Sequence, residues 1–122
     1  MEVMIALVII AVISGLAVPA YVKTVEQTRG NEALTNLNII HMGEKIYRLN
    51  HGTFWGTGAT DIATINTNLS TDMSAVYYTT VSVTGAANNY TAIFTRAGGT
   101  KTFQFAFTNG NAAPALTEGG AY

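Results

Sequence analysis

The sequence predicts an α+β protein, with a long N-terminal helix over about residues 1–51 packed on a C-terminal antiparallel β-sheet of three to four strands. Three observations carry this expectation. Residues 3–21 hold no charge and are mostly Val, Ile, Leu, Met and Ala. Residues 22–50 keep strong helix formers and mixed charges at helical spacing, with no Pro. From residue 51 the apolar period shortens toward 2, in β-branched and aromatic runs separated by Gly-containing turns. A chain of 122 residues makes one domain with at most an appended element. Four segments follow: an apolar helix segment over 1–21, an amphipathic helix over 22–51, an αβ-loop over 52–75 and a sheet-bearing head over 76–122.

The first segment is long enough to cross a hydrocarbon core, which takes about 20 residues at 1.5 Å each. Its details do not suit a plain anchor. Glu2 places a carboxylate at its mouth, and a secretory signal would carry Lys or Arg there instead. Ser14, Gly15 and Pro19 interrupt it at one place. Pro19 has no N–H to give the carbonyl of Gly15, and Gly15 is itself a poor helix former. A kink or a local loss of helix is therefore expected near residues 13–20, tolerable where neighbouring chains cover the freed backbone.

Beyond Ala20 the helix pattern resumes, with pairs such as Glu44 and Arg48 four residues apart. Steps of about 100° per residue put Ala33, Leu37, Ile40 and Tyr47 on one arc and Ile39, Met42, Ile46 and Leu49 on the opposite one. A surface helix needs only one apolar stripe. Two stripes imply two partners, the chain's own sheet and another molecule. The stretch "HGTFWGTGAT" (51–60) reads as a Gly-rich loop, and Asp61 to Leu69 as a short helix or irregular turn. Then "VYYTTVSV" (76–83), "NYTAIFTR" (89–96) and "TFQFAFTN" (102–109) read as three strands of a meander, joined by "TGAAN" and "AGGTK" turns. The second half of the long helix is the available cover for one sheet face.

Composition narrows the chemistry. Six Lys and Arg against seven Asp and Glu leave a net charge of −1, with no electrostatic footprint for nucleic acid. The absence of Cys removes disulfides and thiolate chemistry. His41 and His51 are ten residues apart on the helix and make no compact metal pair, so solvated or capping roles are expected of them. Asp61 and Asp72 lack the oxygen-ligand spacing of a calcium loop. "NLS" (68–70) and "NYT" (89–91) fit the glycosylation triplet, a pattern common by chance in Asn/Thr-rich chains. No catalytic, cofactor-binding or metal-binding residues are expected, and an enzyme is not.

One order of features runs along the whole chain: Glu2, an apolar span broken by Ser14 and Gly15, "VPAY" (18–21), a charged amphipathic helix, an αβ-loop and an antiparallel sheet. In that order it resembles the type IV pilins and their pseudopilin relatives. The match is specific over "EVMIALVIIAVISGLAVPAY" (2–21) and looser beyond, although "IYRLNHGTFW" (46–55) looks like the family's helix end. The resemblance implies a prepilin held in the inner membrane, trimmed by a prepilin peptidase and passed by the pilus assembly machinery into a helical homopolymer on the cell surface. It puts Glu2 where the family's glutamate meets the N-terminal amine of an adjacent subunit. Ser14, Gly15 and Pro19 fall where the family's helix kinks or loses order. Val3, Ile5, Leu7, Ile9, Ile10, Val12, Ile13 and Leu16 would pack in the filament core. In that family a methylated apolar residue starts the mature chain a few positions before the glutamate, so two or three residues and a leader are expected ahead of Met1. The C-terminal Cys pair of many pilins is absent, which leaves packing to hold residues 110–122.

The same fold serves pseudopilins of secretion or competence systems, whose major members usually carry a calcium loop near the C-terminus. Here "NGNAAPALTEGGAY" (109–122) offers Glu118 as its one carboxylate side chain, which favours the pilus. A third reading, of another class, is a single-pass membrane protein with a ligand-binding head.

Overall fold

The computed structural model describes residues 1–59 and 61–122; Thr60, inside the expected αβ-loop, lies outside the described residues. One helix, α1, runs from Glu2 to His51. It ends as the "IYRLNHGTFW" stretch suggests: Gly52 takes a left-handed backbone, φ 78°, and its N–H closes on the carbonyl of Arg48 at 2.7 Å. Of the kink or local loss of helix expected near 13–20, the loss of helix is not seen. The backbone stays α-helical through Pro19, because a proline removes one bond from the ladder while the turns on either side keep theirs.

After α1 come strand β1 (Thr57–Ala59), helix α2 (Ile62–Leu69), and strands β2 (Thr80–Gly85), β3 (Asn89–Thr95), β4 (Thr102–Thr108) and β5 (Ala115–Gly119). The five strands form one antiparallel sheet in sequence order, not the three to four expected. The extra two are both edges. Only three residues form β1, and all but the last residue of β5 are exposed, so neither shows the alternation that marks a strand in sequence.

The sheet's inner face is read off its register. Val81, Phe94 and Phe103 lie in one row across β2, β3 and β4, and Val83, Ala92 and Phe105 in the next. Together with Tyr90 and Phe107 these side chains are buried against Ala33, Leu37 and Ile40 of α1, the inner arc read from the sequence. The short helix α2 adds Ile65 and Leu69, and the loops around it add Phe54, Trp55 and Met73. Asp61 starts α2 as its N-cap, accepting from the Thr64 N–H at 3.1 Å. The Thr64 hydroxyl, donating to the same oxygen at 3.0 Å, and then the Thr64 N–H hold its carboxyl below the usual range.

The first expected strand is shifted toward the C-terminus. Residues 76–79 stand outside the sheet because their backbone donors go elsewhere: Val76, Tyr77 and Tyr78 all give their N–H to Oε1 of Glu32, at 2.8, 3.0 and 3.2 Å. One carboxylate on α1 thus replaces a strand partner.

Candidate functional site

The head covers only the second half of α1. Every residue from Met1 to Thr24 is exposed, and the eight apolar side chains Val3, Ile5, Leu7, Ile9, Ile10, Val12, Ile13 and Leu16 keep 53–75 % of their surface. At about 100° per residue they span roughly two thirds of the circle, and the exposed Met4 and Val8 fill the remaining sector, so this part of the helix is apolar all round. A helix that is apolar all round belongs in a bilayer or inside an assembly. This one is long and apolar enough to cross a membrane.

Glu2 stands in the first turn of α1, where the free backbone N–H groups favour a carboxylate. Ser14, Gly15 and Pro19 are exposed within the helix. A Cβ at Gly15 would meet nothing within 4 Å, so no contact among the described residues explains a glycine there.

The second stripe is also bare. Met42, Ile46 and Leu49 keep 67, 58 and 86 % of their surface, while Ile39 is partly drawn into the core. They make a second bare apolar patch on the same helix, separated from the first by an exposed polar face that includes Gln27, Asn31, Thr35 and Asn38.

Two polar groups take places that the sequence does not foretell. Glu44, expected to pair with Arg48, is fully buried beside the core instead. Its Oε2 accepts the Trp55 N–H at 2.8 Å, and its Oε1 and the Nε of Arg48 have no partner among the described residues. Burial pushes the Glu44 carboxyl up to about 7, against the opposing pull of the Trp55 N–H. His41 is neither solvated nor a cap: its Nδ1 meets the Tyr90 hydroxyl at 2.5 Å and its ring lies edge-on to Phe107. Burial, and then the charge of Lys45, lower its pKa. His51 does take a terminal role, with Nδ1 3.1 Å from the Tyr47 carbonyl and its ring stacked on Tyr47.

Where the head meets the helix, a charged cluster fixes the two together. Arg96 clasps Glu26 through Nε and Nη2 at 3.0 and 3.1 Å, and Arg29 donates to the same carboxylate at 2.6 Å. Arg96 chiefly, against burial and with help from Arg29, holds the Glu26 carboxyl below its usual range. Both guanidinium groups also lie over the ring of Tyr77, at 4.7 and 5.5 Å. Among the described residues no group of three or more His, Cys, Asp and Glu is placed to hold a metal ion. The most extensive exposed feature is apolar, the side chains of residues 1–22. Compared with family models, curated proteins and solved structures, the chain matches none.

Proposed function

We propose that this chain is the structural subunit of a type IV pilus-like filament, held in the inner membrane by residues 1–21 before assembly and packed through the same residues afterwards. The observation that carries the reading is the bare apolar half of α1, together with a second bare apolar patch, Met42, Ile46 and Leu49, on the half that the head holds. A membrane anchor needs the first of these surfaces. Only a second protein copy uses both, because the outer stripe lies on the part of the helix fixed to a polar head. Burying a Val, Leu, Ile or Met side chain contributes roughly 1.5–3 kcal/mol, so the eight exposed apolar residues alone supply on the order of ten kcal/mol or more before ordering costs. Such a contact between unlike surfaces does not close on itself, and open heterologous contacts build helical fibres.

Glu2 adds register to this affinity. A carboxylate taken into an apolar core without a partner costs several kcal/mol, and the N-terminal amine of a neighbouring copy repays it only at one stagger. Prepilin peptidase and the assembly machinery would act on the same segment.

The test is negative-stain microscopy of cells or purified material carrying the native chain and Glu2→Ala. The native chain gives filaments several nanometres wide, while Glu2→Ala stays in the membrane fraction and makes few or none. Dispersed particles from the native chain, or undiminished filaments from the variant, would sink the reading in favour of a membrane-bound monomer.

A further inference from the structure

The head reaches down beside the apolar helix and makes a groove with it. This groove, of about 650 Å³, is lined by Pro19 and Lys23 of α1, by Arg96, Gly98 and Thr100 at the β3–β4 turn, and by Tyr122. Pro19 stands near the end of the uncharged run, so the groove sits at the level where apolar side chains give way to charged ones.

Tyrosines and cations gather at that level. Tyr21 and Tyr77 line a second concavity around the helix, and Tyr122 closes the first. Lys23, Arg29, Arg96 and Lys101 are four of the chain's six basic residues. Arg29 and Arg96 share Glu26, which also lines the groove with both oxygens taken, and Lys101 pairs with Glu118 at 3.0 Å while lying over the Tyr122 ring. Lys23 makes no ion pair among the described residues. The N–H groups of Gly98 and Thr100 make no hydrogen bond among the described residues either, whereas those of Arg96, Ala97 and Gly99 do. Two cations against one acid, with two unused turn amides, make a place for an anion.

Tyrosines ring a membrane protein at the headgroup level, and juxtamembrane Lys and Arg attract anionic lipid. We propose that this groove binds the phosphate of an anionic phospholipid, with Lys23 and the amides of Gly98 and Thr100 as donors and the acyl chains lying along residues 3–18. The assignment rests on the reading of residues 1–21 as membrane-inserted. It gives the subunit a fixed depth and rotation at the bilayer surface before assembly, and a ligand to shed when it leaves.

The experiment is native mass spectrometry of the full chain in detergent, offered phosphatidylglycerol and phosphatidylcholine at equal concentration. Phosphatidylglycerol should be retained about fivefold more, the ratio expected of one basic residue near an anionic surface. Lys23→Gln should remove the preference, Lys23→Arg should restore it, and Lys45→Gln, the same change at the far end of α1, should leave it intact. Equal retention of the two lipids, or a preference that survives Lys23→Gln, would overturn the proposal. Displacement of the lipid by millimolar glycerol 1-phosphate would hand the site to a soluble phosphate and overturn it too. Partition of the same protein into phosphatidylcholine vesicles separates the two readings: no partition removes membrane insertion itself, while partition without headgroup preference removes only the lipid site.

Discussion

Replacing Glu44 by Gln should make the protein more stable at high pH and leave it nearly unchanged at low pH. The side chain is fully buried, with one oxygen on the Trp55 N–H and the other unpartnered among the described residues, so the charged form has lost its water for a single hydrogen bond. Its carboxyl stands at about 7 in the folded chain against an ordinary 4.5. Between those values the folded state binds the proton and the unfolded state has released it. The folded pKa being the higher, stability is fully present below about 4.5 and falls as pH rises through about 7. At about 1.4 kcal/mol per pH unit the loss is on the order of 3 kcal/mol, equivalent to roughly 10 °C or more in Tm for a domain of this size. Gln keeps the acceptor for Trp55 and carries no charge, so its Tm should lie close to the wild type at pH 4.5 and well above it at pH 8. Thermal unfolding of the full chain in non-ionic detergent measures this through the fluorescence of Trp55, the chain's single and buried tryptophan. His41 works with the opposite sign, since its lowered pKa raises stability as pH climbs toward 6.5, but both proteins share that contribution and it drops out of the difference. Parallel Tm profiles for the two proteins from pH 4.5 to 8 would refute the assignment of a buried, uncompensated carboxylate.

Two further outcomes test what holds the head to α1. Glu32→Ala removes the acceptor of three backbone N–H groups at residues 76–78 and should cost about 2 kcal/mol; hydrogen exchange at those three amides should quicken at least about tenfold, and unchanged exchange would mean that the loop is held by packing. Gly85→Ala sets a Cβ 2.2 Å from the Trp55 carbonyl oxygen and 2.9 Å from that of Phe54, both backbone atoms unable to swing aside. It should detach β1 from β2 and lower stability by about 2–3 kcal/mol, visible as a lower Tm with the β3 and β4 amides still protected.

Position along the chain decided how much could be read in advance. The inner arc of α1 was legible because Ala33, Leu37 and Ile40 recur at helical spacing, and all three are fully buried. The strands β3 and β4 were legible because both alternate, with apolar residues at every second place. The edge β5 was not, since a strand beyond the cover of the helix has no buried face to impose alternation. The start of β2 was misplaced for a different reason: "VYYTT" has strand propensity, but a carboxylate 44 to 46 residues away claims the amides of 76–78. Local spacing offers Glu44 only Arg48 and His41 only solvent or a helix end, because their actual partners, Trp55 and Tyr90, come from segments that only folding brings near.

By itself the sequence determined the long helix, its uncharged first half, the carboxylate at its mouth and the two apolar stripes, because each depends on composition or on a fixed local period. Tertiary structure alone decided that the head covers one stripe and leaves the other bare, that five strands close the sheet, and that Glu44 is buried with half its hydrogen-bonding capacity unused. It also decided that Lys23 and the 97–100 turn, more than 70 residues apart, face one groove at the foot of the head. The division follows from range: periodicity is written within a few turns of chain, whereas the choice of which face is covered, and by what, belongs to contacts between segments that the chain itself keeps apart.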